Sequence, residues 1–407
     1  MRIAVVGSGG REAALALVLA RHHDVVVTPG NPGIPGSVVT PPEELEADLV
    51  VIGPEAPLVD GLADRLRAAG RLVFGPGADG AQLEGSKAWM KELVTAAGVP
   101  TARYGRFDEV APALEFLRSL PGAYVVKTDG LAAGKGVLVT DDLAEAEADV
   151  REKLSGEAFG AAGTTVVIEE AMTGPELSVF AVCDGQRAVL LPPAQDFKRV
   201  GDGDAGPNTG GMGAYSPLPW LPDEVLDEVQ ARIVAPTLAE LRRRGIDYRG
   251  VLYAGLMLTP EGPKLVEYNV RFGDPDSQVV LLRCTSDLGA LLAEAAAGAL
   301  VSQATFDDGA AVLVVAAAEG YPVAPRTGDP IDGLEAAAGE EGVDVLCAGV
   351  AADGAGRLLT AGGRVIDVVG RGRDLAAARA RAYSALGHLS WPGRHHRTDI
   401  AKEVTST

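Results

Sequence analysis

Cysteine is scarce. The 407 residues hold three, Cys183, Cys284 and Cys347, spaced too widely for a metal-ligand set, as expected of inert thiols in a reducing cytoplasm. Long apolar runs are also missing. Although 47% of residues are hydrophobic and the mean hydropathy is +0.14, strand-like stretches such as 124–126 and 312–318 are soon interrupted by Gly, Pro or charge. None approaches the roughly 18 to 20 residues that a membrane span requires. The first strand begins at Arg2 without a basic segment, a long apolar stretch and a cleavage site before it, so export is not expected. Positive charge is in deficit: 36 Lys and Arg face 56 Asp and Glu, a net charge of −20. Such a field repels nucleic-acid and anionic-membrane phosphates, so neither is expected as a partner. Any phosphate ligand must be held by local groups.

Two phosphate-binding signatures are approached and missed. Residues 125–139, VVKTDGLAAGKGVLV, set a turn rich in glycine and alanine between two valine-rich strands, with Lys127 ending the first and Lys135 in the turn. A P-loop wants four residues between its glycines, then Lys and Ser or Thr opening a helix. Here three residues separate Gly130 from Gly134, Gly136 follows Lys135, and a strand continues the chain. The stretch predicts a hairpin that folds over a polyphosphate, with Lys127 facing the ligand rather than the core; a tight hairpin with a solvated lysine is the plainer alternative. The opening RIAVVGSGGREAALALVLA predicts a strand, a glycine turn and a helix, the first unit of a parallel α/β domain. As a dinucleotide fingerprint it fails, because Glu12 takes the place of the third glycine and strand 25–28 ends without a ribose-binding acid, which argues against NAD. Gly9 and Gly10 at the helix start, with Arg11, can still accept a monophosphate.

Strands at 48–52 and 72–74 run into Pro54-Glu55 and Gly75-Pro76 at the carboxyl edge of this sheet, and the first domain is expected to span 1–85. Ser86-Lys87 opens a helix that Gly98-Val99-Pro100 closes. A second region, 86–305, carries a small inserted lid at about 110–175. Residues 195–217, QDFKRVGDGDAGPNTGGMGAYSP, lack periodicity and predict an irregular functional loop. The strand at 263–268 delivers Glu267, Asn269 and Arg271 at alternate positions on one face, an oxygen-rich set of the kind that holds Mg²⁺ beside nucleotide phosphates; a surface salt bridge is the alternative. Residues 306–407 predict a last small α/β domain. Its basic residues between 357 and 397 read as a solvated face, and the tail beyond Asp399 as frayed.

The stretches GPEAPLVDGLADRLRAAG (53–70), QLEGSKAWMK (82–91), DGLAAGKGV (129–137), KRVGDGDAGPNTGGMGAYSP (198–217), GVLYAGLM (250–257) and VRFGDPDSQ (270–278) together resemble the ATP-grasp superfamily, and within it the glycinamide ribonucleotide synthetase family. The resemblance covers residues 2–399. It implies an α/β chain in which an ATP-grasp fold is preceded by a Rossmann-like parallel-sheet domain and followed by a small α/β domain. The implied reaction joins glycine to 5-phosphoribosylamine with ATP and Mg²⁺ (or Mn²⁺), in a cytoplasmic monomer or weak homodimer. By resemblance, Lys87, Lys127 and Lys135 bind phosphates. Glu169, Glu170 and Met172 fall in the adenine-contacting linker, and Glu176 binds the ribose. Glu267 and Asn269 hold metal, while Arg271 and Lys127 align the transferred phosphate. Gly9, Gly10, Arg11, Glu12, Pro54, Glu55, Lys198, Asn208, Thr209, Gly210 and Arg271 hold phosphoribosylamine, with Asp196 and Asp274 near the amino groups. Such chemistry passes through an acyl phosphate and needs no Ser, His or Cys nucleophile, and none of the five histidines falls in these motifs.

Four residues at three places depart from the family. Ala13 and Phe197 stand where GREHALA and QDHKR carry histidine, and Asp276-Ser277 stands where Glu-Thr is usual. All three are expected on the substrate side, with Ala13 weakening phosphate binding. Two alternatives follow: a paralogue that couples another amine or carboxylate, and a non-catalytic nucleotide-binding protein.

Overall fold

The computed structural model describes residues 1–130, 136–156 and 165–405. At the N-terminus, β1 (Arg2–Gly7), α1 (Gly10–Leu19), β2 (Asp24–Pro29), β3 (Leu49–Ile52), α2 (Glu55–Val59), α3 (Leu62–Ala68), β4 (Val73–Phe74) and α4 (Ala78–Gly85) alternate. The strands form one parallel sheet in the order β2-β1-β3-β4. Their unbroken apolar runs suit a sheet covered on both faces. The parallel arrangement delivers the glycine turn before α1 and Pro54-Glu55 after β3 to the same carboxyl edge.

Ser86 caps α5 (Lys87–Ala96) by accepting from Trp89 N, as its sequence predicts. The lid follows, with β5 (Tyr104–Phe107), α6 (Val110–Arg118), β6 (Tyr124–Thr128), β7 (Val137–Thr140), α7 (Leu143–Leu154) and β8 (Val166–Glu170). Its antiparallel sheet runs β5-β8-β6-β7. Leu117, Val126, Val150 and Ile168 form a core separate from the two larger ones, so the lid packs as its own unit. Lys135 lies outside the described residues.

Beyond the lid come β9 (Glu176–Asp184), β10 (Ala188–Leu190), β11 (Gln195–Asp196), β12 (Arg199–Gly201), β13 (Ala205–Asn208), β14 (Gly213–Ser216), α8 (Glu224–Val229), α9 (Ala235–Arg243), β15 (Arg249–Thr259) and β16 (Gly262–Asn269). The central sheet is β10-β9-β15-β16. After α10 (Asp276–Leu281) and α11 (Leu288–Ala297) the chain adds β17 (Ala310–Ala317), β18 (Val343–Cys347), β19 (Val350–Ala352), β20 (Leu358–Thr360) and β21 (Arg364–Gly372).

The last sheet is ordered β11-β14-β17-β21-β18, so two of its strands come from residues 195–216. That stretch is therefore not an irregular loop: β12 and β13 form a two-stranded ribbon and β14 is buried between β11 and β17. Its periodicity is hidden because both faces of β14 are covered. Gly213 is required where Leu313 O would stand 2.6 Å from a Cβ. The basic C-terminal segment is not wholly a solvated face either. Arg397 is 1% exposed and pairs with Asp204 (2.6 Å) and Asp399 (2.7 Å), tying the ribbon to the tail. Ile400 and Ala401 are buried, so the tail is packed rather than frayed there. No helix among the described residues is long and apolar enough to cross a membrane.

Candidate active site

A cleft of about 480 Å³ opens where the carboxyl edge of the first sheet, α4, α5, β16 and the β12–β13 ribbon converge. Arg11, Pro54, Glu55, Lys87, Asp196, Lys198, Thr209, Gly210, Glu267, Asn269, Arg271 and Asp274 line it, with Asp276 on the expected substrate side, together with Glu84 and Arg364, which have no role in the sequence-based expectations. Gly9, Gly10, Glu12, Lys127, Glu169, Glu170, Met172, Glu176 and Asn208 stand outside its wall. A hollow of about 520 Å³ at Arg187, Leu238 and Ser302 has no carboxylate in its lining and none of the selected residues. The chemistry belongs to the first cleft.

On one side the groups are cationic. The start of α5 is braced by Asp129, whose carboxylate accepts from Ser86 Oγ and Ala88 N, all at 3.1 Å. Lys87 Nζ donates to Gly130 O (2.8 Å), which brings the lysine to the glycine turn of the lid. Burial lowers the Lys87 pKa, and Lys127 nearby adds to that while Glu267 opposes it. Behind them lies a buried triad: Glu169 is paired to Lys91 and to Lys127, each at 2.8 Å. Lys127 is thus 4% exposed and held by an ion pair, so it is buried where the sequence predicts a residue outside the core. Burial opposes its charge, but Glu169 and Glu267 raise its pKa. For Lys91, burial wins over Glu169 and lowers the pKa to about 8. Lys91 also donates to Thr101 Oγ1 (2.7 Å), whose hydroxyl donates to Leu265 O (2.6 Å), so the triad joins α5, the lid and β16. Glu170 accepts from Arg103 N (3.0 Å).

Across the cleft, β16 presents Glu267 and Asn269. Arg271 just beyond the strand donates to Asn269 Oδ1 (3.0 Å), Glu84 Oε1 (2.8 Å) and Glu55 Oε2 (3.3 Å), which raises its pKa against burial. Burial alone would raise the Glu55 carboxyl, yet Arg271 holds it below the usual range. Glu84 is buried more deeply and is pushed up despite Arg271. Glu84 carries no motif of its own in sequence, standing on the short helix α4 just before the Ser86 cap. Its 2.8 Å bond from Val270 N has no signature in sequence.

The third wall is mixed. Lys198 pairs with Glu176 and lies 3.3 Å from Asp196; burial pushes Asp196 up to about 7, against Lys198 and with help from Asp276. Asp274 accepts from Gln278 (2.9 Å) and pairs with Arg364 (3.2 Å). At the first turn the Gly9 N–H donates to Glu12 Oε2 (2.7 Å) and Arg11 pairs with Glu12. Gly7 and Gly53 have no side chains, which leaves room for the Glu12 carboxyl.

Models of the phosphoribosylglycinamide synthetase N domain, ATP-grasp (A) domain and C domain match residues 1–84, 85–277 and 311–403. The chain belongs to this family. The fold is accordingly an ATP-grasp fold between an N-terminal parallel-sheet domain and a C-terminal domain. It is 49% identical to a phosphoribosylamine–glycine ligase of Caulobacter vibrioides, over 98% of this chain and 97% of that one. It superposes on the crystal structure of a phosphoribosylamine–glycine ligase from Thermotoga maritima with a TM-score of 0.88 at 34% identity, covering 98% of this chain and 100% of that one. A biotin carboxylase domain from Hydrogenobacter thermophilus, solved with MgADP, shares the fold alone, with a TM-score of 0.72 at 17% identity over 97% of this chain and 91% of that one.

Two of the departures from the family motif pack away from the cleft. Ala13 is 7% exposed and joins an apolar cluster with Val5, Val279 and Leu346, so it does not face the cleft. Phe197 packs on the Tyr215 ring, with the Arg397 guanidinium 4.9 Å from its own ring centroid. Neither residue lines the cleft, contrary to the expected substrate-side placement. Asp276 does line it, but its carboxylate is held by Ser178 Oγ (2.9 Å) and Tyr253 OH (2.5 Å).

Proposed function

We propose that this cleft joins glycine to 5-phosphoribosylamine at the expense of ATP, through glycyl phosphate, and that the selected residues divide the work as follows. The observation that carries the reading is the convergence in one cleft of Lys87, Glu267, Asn269 and Arg271 with residues of all three chain regions. Lys87 and Lys127 bind the polyphosphate. Glu176 meets the ribose on the linker side, beside Glu169, Glu170 and Met172. The donor set of β16, one carboxylate and one amide oxygen, suits a hard divalent cation whose remaining ligands are phosphate oxygens and water. Glu267 and Asn269 would hold Mg²⁺ or Mn²⁺ there, and the ion would supply positive charge to offset that of the transferred phosphoryl group.

A glycine carboxylate oxygen attacks the γ-phosphorus, the bond to the bridging oxygen breaks, and ADP leaves. The ribosylamine nitrogen then attacks the acyl carbon, phosphate departs with the former carboxylate oxygen, and the nitrogen loses a proton. Arg271, fixed in plane by Glu84, Glu55 and Asn269, stabilises charge on the moving phosphoryl group without reorganising. Asp196, titrating near neutrality, is the carboxyl suited to take the amine proton. The lid keeps water from an intermediate that hydrolyses readily. The structural placement of Ala13 and Phe197 removes the motive for a paralogue with another amine. ADP release measured against a panel of amino acids, with and without phosphoribosylamine, tests the reading. Turnover should require glycine and phosphoribosylamine together, and faster turnover with another pair would overturn it.

A further inference from the structure

Resting on that ligase reading, the structure narrows where the phosphate of the ribosylamine is held. The turn before α1 is already engaged. Its Gly9 N–H donates to Glu12 (2.7 Å), and Gly10 is buried against Asp367, whose Oδ2 would stand 2.0 Å from a Cβ at that position. Asp367 is 1% exposed, and its Oδ1 has no hydrogen-bond partner. Two carboxyl groups therefore flank the helix start, one of them already paired with Arg11, and a phosphate dianion there would meet acids beside the N–H groups.

The opposite wall offers a cation. Arg364, at the start of β21, lines the cleft beside Thr209 and Gly210. Its Nη1 donates to Gly210 O and Asp274 O, both at 2.8 Å, and its Nη2 lies 3.2 Å from Asp274 Oδ2. The two bonds engage the Nη1 N–H groups of the guanidinium, and the Nη2 contact is an ion pair with Asp274. They fix its plane and leave the Nε and Nη2 edge for a fork onto a tetrahedral anion. Asp274 keeps the pair neutral until an anion arrives, and Gln278 holds Asp274 from behind (2.9 Å).

We propose that Arg364 is a substrate-contacting residue that binds the phosphate of phosphoribosylamine, so that the C-terminal sheet selects for the phosphorylated sugar. The test compares glycinamide ribonucleotide with its dephosphorylated ribonucleoside, each titrated calorimetrically into full-length protein saturated with MgADP. Arg364→Gln should weaken the ribonucleotide by about 10- to 100-fold, leave the ribonucleoside unchanged, and leave ADP affinity unchanged. Arg364→Lys keeps the charge without the fork and should lose an intermediate amount for the ribonucleotide alone; it carries the test if the glutamine variant does not fold. Equal weakening of both ligands, or of neither, overturns the assignment and leaves the ligase reading standing. Wild-type protein that binds neither ligand overturns both.

Discussion

Replacing Glu169 with glutamine removes the one anion between two buried ammonium groups. Lys91 and Lys127 each lie 2.8 Å from its carboxylate, and their side chains are 0% and 5% exposed. Removing one partner from a buried ion pair costs about 3–5 kcal/mol, because the remaining charge stays desolvated. Lys91 makes the loss depend on pH. Its folded value of about 8 lies below the ordinary 10.5, a gap worth roughly 3 kcal/mol of destabilisation in the charged form. Because the folded value is depressed, that cost is fully present below pH 8 and is relieved as pH rises toward 10.5, where the unfolded chain binds more protons. Without Glu169 the folded value drops further, so relief begins at lower pH. Glu169→Gln should therefore lose about 3–5 kcal/mol near pH 6.5 and roughly 1–2 kcal/mol less at pH 9. Urea unfolding at the two pH values, with hydrogen exchange of strand 166–170 as the local readout, measures this. An equal loss at both pH values, or none, would refute the assignment of Glu169 as the counter-ion of two charged lysines.

Other perturbations separate chemistry from architecture. Glu267→Gln should raise the Mg²⁺ requirement about tenfold or more, since an amide attracts a hard cation far less than a carboxylate; an unchanged magnesium titration would make Glu267 a structural partner. Lys127→Met, which leaves Glu169 neutralised by Lys91, should abolish ATP turnover while the circular dichroism stays native, and near-normal turnover would sink its phosphate role. Ala13→His should overpack the cluster around Val5 and Leu346, lowering stability by about 1–3 kcal/mol without improving KM for phosphoribosylamine. A lower KM at unchanged Tm would place position 13 on the substrate after all.

Local patterns carried much of this protein. Alternation placed Glu267, Asn269 and Arg271 on one face, glycine turns and caps placed Lys87, and apolar runs placed the parallel sheet. What stayed hidden depends on contacts between segments far apart in the chain. Arg364 looked like one of many surface arginines until β21 paired with β17 and brought it to Asp274. Glu84 reaches the cleft only because α4 packs beside β16. The segment at 195–217 showed no period because its strands complete a sheet begun a hundred residues later. The departures at 13 and 197 looked functional against a family motif, whereas burial and the Arg397 contact show what those side chains do here.

The most direct test follows one atom. If the carboxylate of glycine attacks the γ-phosphorus and the amine then displaces phosphate, glycine labelled with ¹⁸O in its carboxylate must pass one labelled oxygen to each phosphate released. Mass spectrometry of the phosphate formed in single turnover, with ATP, Mg²⁺ and phosphoribosylamine present, should show one ¹⁸O per phosphate. Unlabelled phosphate would contradict glycyl phosphate as the intermediate, and with it the roles given to Lys127, Glu267 and Arg271.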